Sequence, residues 1–200
     1  MKTDFRQKLK TLWGQPQKLA RQALNTISPS VTATWKIRAF GLLRIPIIAF
    51  LGPKVIHLSP QRCQIQIPLS YRSKNHLNSL YLGAFAVGAD LAVGLLIFRH
   101  IQDRKDIELV FADFHANFFK QGRGDTHFTC DAGDAIAVLV EQAAKQSDRV
   151  KSTIRVNATL PSQFGDQPIA EFQLTVALKR KPLSSEPRHS TAKKIKNSRP

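Results

Sequence analysis

The sequence predicts an α+β domain, because two hydrophobic periodicities occur in different parts of one chain of 200 residues. Several segments alternate apolar and polar residues, which is typical of strands in an antiparallel sheet with one covered face. One stretch, Leu77 to Phe98, is apolar or small at nearly every position, as in a helix that a curved sheet surrounds. The length and an apolar share of 42% suit a single core with appended tails.

The first 30 residues are predicted to form a basic amphipathic helical arm, with six Lys or Arg residues against one Asp. Its apolar residues recur at roughly helical spacing: Phe5, Leu9, Leu12, Trp13, Leu19, Ala20 and Leu24. Gly14 and Pro16 divide this pattern, and Ser28, Pro29 and Ser30 indicate a linker. Two roles are open for the arm: packing across the domain or a partner subunit, or reversible contact with a membrane surface.

An apolar run from Ala39 to Leu51 follows, which Arg44 and Pro46 interrupt. It is too short to cross a bilayer, which takes about 20 helical residues. We therefore expect a buried segment that leads into the first strand. That strand places four residues on one face: Cys63, Ile65, Ile67 and Leu69.

Four further strands and one short helix complete a predicted domain over residues 31–181. The strands place the following residues on their apolar faces: Val110, Ala112, Phe114, Ala116 and Phe118; Phe128 and Cys130; Val150, Ile154, Val156, Ala158 and Leu160; Ala170, Phe172, Leu174, Val176 and Leu178. A helix is predicted near 134–146, before the fourth of the five strands. Residues 182–200 are rich in Ser, Lys and Pro and are predicted to be a basic disordered tail.

Asp90 stands within the apolar helix, where an unpaired carboxylate costs several kcal/mol. Three explanations are open. In the first, residues 77–98 form a transmembrane helix. Their number is suitable, but an Asp near the centre of such a helix costs about 2.5–3.5 kcal/mol. In the second, Asp90 has a structural role, and its carboxylate pairs with a group such as an Arg. In the third explanation Asp90 belongs to a functional site.

The residues around Asp90 favour a site. Gly83, Gly88 and Gly94 each cost about 0.5–1 kcal/mol relative to Ala in a helix, so they indicate the close approach of a backbone or a ligand. Gly83 lies two helical turns before Asp90, on the same face. Polar residues 75–79 precede the helix, where free backbone N–H groups stabilise an anion. An oxyanion donor and a carboxylate base are the parts of a hydrolytic site.

The stretch from Asn75 to Asp90 resembles the hotdog-fold acyl-CoA thioesterases of the PaaI type, whose motif is N-x-x-G-x-x-H-G-G with an acid seven residues later. Asn75 matches the asparagine, Gly83 the last glycine and Asp90 the catalytic acid. The "HFTCD" strand, the helix near 134–146 and the "FGDQPIAEFQLTVALKRK" ending are more similar to an uncharacterised bacterial branch of hotdog proteins, a domain of unknown function. The resemblance covers roughly residues 35–181.

This resemblance implies a hotdog fold, in which an antiparallel sheet of about five strands surrounds a long central helix. It also implies hydrolysis of acyl-CoA or a related acyl thioester. Asp90 would be the general base or nucleophile, the Gly83 amide would hold the carbonyl oxygen, and Asn75 would position water or the thioester. Hotdog sites usually lie between two subunits, so a homodimer or homotetramer is expected.

Three positions depart from the family motif: Asn78 and Leu82 replace glycines, and Tyr81 replaces the histidine. The Tyr81 phenol can donate a hydrogen bond, but with an ordinary pKa of about 10 it is no general acid–base at neutral pH. Leu82 is expected to contact the substrate. A non-catalytic protein that binds an acyl group or acyl-CoA is therefore the alternative to an enzyme.

The formal net charge of +16 lies largely at the two ends of the chain, which favours a weak contact with anionic membrane surfaces. A peripheral membrane-associated protein is thus a further alternative. Lys120 and Arg123 are candidates to meet the phosphates of coenzyme A, which enters as substrate and not as cofactor. His115 and His127 have no third ligand at a suitable spacing, so no metal is predicted.

No specific nucleic-acid contact is predicted, because no aromatic residues alternate with the basic ones. Cys63 and Cys130 are too few for a disulfide framework and suit a reducing compartment. No secretory pattern occurs at the N-terminus, where Asp4, Lys8 and Lys10 interrupt any apolar run. The expected location is the cytoplasm.

Overall fold

The computed structural model describes residues 29–101, 104 and 106–181. The predicted arm up to residue 28 and the predicted tail over 182–200 lie outside the described residues. The described part contains an antiparallel sheet of six strands. The strands are β1 (Lys54–Leu58), β2 (Cys63–Ile67), β3 (Ile107–Phe118), β4 (Thr126–Cys130), β5 (Val150–Thr159) and β6 (Pro168–Arg180). Their order is β1-β2-β4-β5-β6-β3, so β1 and β3 are the two edges.

The predicted α+β architecture and the five predicted strands are confirmed, and β1 is an additional strand. The sequence pattern missed β1 because only Val55 of its five residues is buried. A strand with one buried residue shows no alternation of apolar and polar positions.

Two short helices, α1 (Pro29–Arg44) and α2 (Pro46–Leu51), precede the sheet. The predicted linker is therefore wrong at its end: Pro29 begins α1, a position where the fixed φ of proline suits a helix. The prediction that residues 39–51 are buried is correct for one side only. Ile48 and Leu51 are buried, whereas Leu42 and Leu43 are 73% and 79% exposed.

The long apolar helix, α3 (Leu82–Ile101), packs against β2, β4 and β5. The ring of Phe85 packs edge to face on Phe128, with 5.9 Å between the ring centroids. Gly88 lets helix and sheet approach, because a Cβ atom there would collide with the Phe128 ring. Among the described residues, α3 is also the helix long and apolar enough to span a membrane, yet 56% of its apolar window is buried in the protein. It is packed as a core helix.

Two further helices are α4 (Gly133–Lys145), which confirms the predicted helix near 134–146, and α5 (Pro161–Phe164). α4 buries one apolar stripe against α3, β5 and β6: Ile136, Leu139, Val140 and Ala143. Cys63 and Cys130 face each other across β2 and β4 as free, buried thiols. Burial raises the pKa of Cys63 to about 12 and that of Cys130 to about 11, so both thiols stay protonated.

Candidate active site

Asp90 lies on α3 where two cavities adjoin. The larger has a volume of about 740 Å³ and lies between α3, the α1–α2 pair, β1 and β3. The smaller, of about 270 Å³, lies between α3, β3 and β6. Nearly all the other side chains along both cavities are apolar. Asp90 is thus a carboxyl group on the wall of an apolar chamber large enough for a small-molecule ligand.

The Asp90 carboxyl group is partly buried and has no partner among the residues that the structure describes: none of them donates a hydrogen bond or forms an ion pair with it. Burial raises the pKa of Asp90 from 3.8 to about 6. This removal of water is the whole cause, since no neighbouring charge or hydrogen bond contributes. No described residue therefore forms an ion pair with Asp90, although Lys36 and Arg99 line the same cavity. An acid with a raised pKa beside a cavity is a candidate for proton transfer.

The other predicted site residues gather at the N-terminal end of α3. The Asn75 side chain closes the turn before the helix, because its Oδ1 accepts hydrogen bonds from Leu77 N at 2.9 Å and from Ser79 N at 3.1 Å. Asn78, where the family motif has glycine, adopts a left-handed conformation with φ of +55°. Asparagine tolerates this conformation better than most residues, so the turn survives the loss of glycine.

The first amides of α3 are available to bind an anion. Tyr81 O accepts the first hydrogen bonds of the helix, from Ala84 N at 2.9 Å and Phe85 N at 3.1 Å. The N–H groups of Leu82 and Gly83 have no acceptor among the described residues. Free N–H groups at the positive end of a helix dipole are suited to bind an anion, as the predicted oxyanion donor requires.

The Tyr81 ring covers Gly83. A Cβ atom on Gly83 would lie 2.6 Å from Tyr81 Cε1, so glycine is needed for the ring to take this position. Tyr81 and Leu82 are 57% and 60% exposed. The polar Tyr81 phenol and the apolar Leu82 side chain therefore lie at the surface, beside the free N–H groups of Leu82 and Gly83.

Gly83 and Asp90 share a face of α3 but lie far apart. Seven residues at 1.5 Å per residue separate them by roughly 10 Å along the helix axis. A water molecule held by Asp90 cannot attack a carbonyl group that is bound at the Gly83 amide of the same chain. Within one chain, therefore, the structure groups Asn75, Tyr81, Leu82 and Gly83 and leaves Asp90 apart.

The loop between β3 and β4 brings Lys120 and Arg123 to the N-terminal end of α3. Leu80 N donates to Gly122 O at 2.8 Å, which ties this loop to the start of the helix. Lys120 Nζ bonds Gln167 Oε1 at 2.9 Å, and Arg123 Nε bonds Gln121 Oε1 at 2.8 Å. Both basic side chains are exposed at the rim of the predicted site.

Residues beside Asp90 that the sequence reasoning missed come from distant segments. Lys36 of α1, Arg99 of α3 and Phe111 of β3 all line the larger cavity. The spacing of glycines gave one signal: Gly94 lies one turn after Asp90, and a Cβ atom there would meet nothing within 4 Å. Gly94 thus keeps the cavity open, whereas Gly88 accommodates a core ring.

Among the described residues, no three His, Cys, Asp or Glu side chains come close enough to hold a metal ion. His115 lies on the edge strand β3 and His127 on the interior strand β4. These two strands are not neighbours in the sheet. The absence of a metal from the mechanism stays a prediction.

Residues 33–177 of the chain match the model of a protein family, the domain of unknown function DUF4442. The chain belongs to the DUF4442 family. No curated protein matches its sequence. The match spans most of the described sheet, the central helix α3 and Asp90.

Solved structures of similar fold show which architecture this DUF4442 chain has. A proposed thioesterase from Shewanella oneidensis superimposes with a TM-score of 0.60 at 14% identity, covering 74% of this chain and 96% of that one. A protein of unknown function from Pseudomonas aeruginosa, described as a probable thioesterase, gives 0.60 at 18% identity, covering 74% and 95%. A thioesterase from Haemophilus influenzae gives 0.55 at 12% identity, covering 76% and 92%. The chain has the hotdog fold, as the resemblance implied.

Proposed function

We propose that this protein hydrolyses acyl-CoA or a related acyl thioester, with Asp90 as the general base. The observation that carries the proposal is Asp90 itself: a carboxyl group without a partner among the described residues, with a pKa of about 6, on the wall of an apolar cavity. Such a group is deprotonated at neutral pH and still basic enough to take a proton from water. The likeness to thioesterases of the same fold supports the choice of reaction.

The proposed site is shared between two copies of the chain. The roughly 10 Å between Gly83 and Asp90 along α3 exceeds the reach of one water molecule, so each copy supplies one half. Among the described residues, the 12-residue edge strand β3 pairs with β6 alone, so its other side is unpaired. A free edge of this length is usually paired or covered in a native protein. Pairing of two β3 edges would form a homodimer and cover the adjoining cavities.

In the proposed reaction, the free amides of Leu82 and Gly83 donate hydrogen bonds to the thioester carbonyl oxygen. The Asp90 carboxylate of the other copy takes a proton from water as the water oxygen attacks the carbonyl carbon. The tetrahedral intermediate then collapses, the carbon–sulfur bond breaks, and the proton passes from Asp90 to the leaving sulfur. The products are a carboxylic acid and a thiol.

The remaining site residues have supporting roles in this proposal. Asn75 Oδ1 is engaged in the turn before α3, so Asn75 shapes the oxyanion donor and leaves only its Nδ2 for a substrate contact. The acyl chain occupies the 740 Å³ cavity, and Leu82 borders the thioester. Lys120 and Arg123 meet the phosphates of coenzyme A at the exposed rim.

One observation favours a second candidate, an acyl-binding protein without turnover. The Tyr81 ring lies over Gly83, and Tyr81 stands where the family motif has its histidine. In that case the protein would bind acyl-CoA but release it unchanged.

The test is an acyl-CoA panel with the wild type, Asp90→Asn and the control Asp148→Asn, an exposed acid in the loop between α4 and β5. We expect Asp90→Asn to lower turnover by about 10²–10⁴-fold, the usual contribution of a general base. Asp148→Asn should hydrolyse at the wild-type rate. Equal turnover by wild type and Asp90→Asn would refute the proposal, and binding without turnover by the wild type would establish the second candidate.

A further inference from the structure

Five large apolar side chains of α1 and α2 are exposed to solvent. They are Trp35, Leu42, Leu43, Ile47 and Phe50. Their exposed fractions are 69%, 73%, 79%, 48% and 50% in that order, which is high for side chains of this kind. Trp35 and Leu42 are seven residues apart and therefore share one face of α1. We call these five residues the α1–α2 outer face.

This face is held firmly on the domain. Arg38 Nε donates to Pro53 O at 3.1 Å, and Arg38 Nη2 donates to Gly52 O at 3.2 Å. Val55 N of β1 donates to Thr34 Oγ1 at 2.9 Å, which joins α1 to the edge of the sheet. The opposite side of the helix pair contributes Ile37 and other buried residues to the core. The outer face is exposed although these contacts hold α1 and α2 against the domain.

The charged residues of the segments that form and flank the face in sequence are all basic. Residues 5–89 contain no Asp or Glu. Lys36 and Arg44 are exposed on α1, and the Arg72 guanidinium lies 5.9 Å from the centre of the Phe50 ring. Apolar side chains surrounded by Lys and Arg, with Trp and Phe among them, are typical of helices that lie in the interface of an anionic membrane.

Charge distinguishes the three possible occupants of the face. Residues 1–28, which precede α1, carry six basic residues against one acidic, so they have the same sign as the face. A second copy related by two-fold symmetry would place the same basic residues opposite one another. Only a negatively charged partner has the opposite sign.

We propose that the α1–α2 outer face docks on a lipid bilayer that carries anionic headgroups. Leu42, Leu43 and Trp35 enter the boundary between headgroups and acyl chains, while Arg44 and Arg72 meet the phosphates. A bilayer fits better than an acidic protein, because exposed apolar side chains occur on both helices of the pair. Phe40 and Ile45, beside the face, line the large cavity, so docking places that cavity next to the lipid.

The experiment is co-sedimentation of the full chain with two kinds of vesicle: phosphatidylcholine alone, and phosphatidylcholine with an equal part of phosphatidylglycerol. Leu42→Gln/Leu43→Gln changes the face, and Val138→Gln changes an apolar side chain of α4 that is 57% exposed. We expect the wild type and Val138→Gln to bind the anionic vesicles equally. The double variant should bind at least about tenfold more weakly, because two apolar side chains no longer enter the bilayer. Thermal melts show whether each variant is folded.

A second measurement separates docking by this face from attraction by the basic ends of the chain. Trp13→Phe leaves Trp35 as the sole tryptophan. Its fluorescence should shift to shorter wavelength on anionic vesicles and be quenched by brominated acyl chains. Vesicle binding without quenching, or equal binding by the double variant and the control, would overturn the proposal. Binding to polyglutamate but not to vesicles would overturn it as well, and would indicate an acidic protein partner.

Discussion

Replacing Asp90 by Asn should raise the stability of the protein at neutral pH. The Asp90 carboxylate is partly buried, has no partner among the described residues, and has a pKa of about 6 in place of 3.8. This difference corresponds to an unfavourable free energy of at most about 3 kcal/mol, at 1.36 kcal/mol per pH unit. The asparagine amide keeps the shape of the side chain and has no charge to desolvate.

The sign of the effect depends on pH. Between about pH 4 and pH 6 the folded protein binds a proton at Asp90 that the unfolded chain has lost, so the contribution of Asp90 to stability falls as pH rises through this range. Below it, both states are protonated and the penalty is absent. Above it, the penalty is complete and stays constant.

The assay is urea unfolding of the wild type and Asp90→Asn from pH 4 to pH 8, with Asp148→Asn, an exposed acid in the loop between α4 and β5, as the control. We expect the advantage of Asp90→Asn to grow from nearly zero at the acid end to about 1–3 kcal/mol at neutral pH. The exposed control should differ little from the wild type at any pH. A loss of about 3–5 kcal/mol in Asp90→Asn would contradict this expectation, since it would show that the carboxylate pairs with a buried cation.

Three further outcomes are expected. Gly94→Ala should raise the free energy of unfolding by about 0.5–1 kcal/mol, because its Cβ atom enters open space. Gly88→Ala should lower the free energy of unfolding, because its Cβ atom collides with the Phe128 ring. Urea unfolding measures both changes. The value of kcat/KM for acyl-CoA hydrolysis should rise with pH and level off above about pH 6, as Asp90 loses its proton; a flat profile across that range would exclude Asp90 as the base. Sedimentation velocity at micromolar concentration should show a dimer, and a well-folded monomer would count against the shared site.

The sequence predicted the parts of the fold in which one face of an element is buried. The alternation in Val150–Thr159 and Pro168–Arg180 reflects strands with one side on the core, and the uniform apolarity of Leu82–Ile101 reflects a helix with the sheet around it. β1 escaped detection because it is an edge strand with a single buried residue. The run 39–51, which ends α1 and forms α2, was expected to be buried, because its apolar residues fit a core as well as they fit an exposed surface.

The candidate site was predictable where it depends on local sequence. The spacing from Asn75 to Gly83 fixes the turn and the free amides, and both are present in the structure. Spacing alone placed Gly83 and Asp90 on one face, but the 1.5 Å rise per residue puts them too far apart to act together within one chain. The cavity beside Asp90 was not predictable, since its walls come from α1, α2 and β3, which are distant in sequence.

In the proposed mechanism, Asp90 of one copy acts with the Gly83 amide of another. Mixing two inactive variants, Asp90→Asn and Gly83→Pro, after unfolding and refolding them together shows whether the two copies share a site. Proline is tolerated in the first turn of a helix but lacks the N–H donor. Random pairing should restore about a quarter of the wild-type acyl-CoA hydrolysis, because half of the dimers then contain one intact site out of two. Two variants that are each folded, dimeric and inactive, and that remain inactive when mixed, would contradict the shared site.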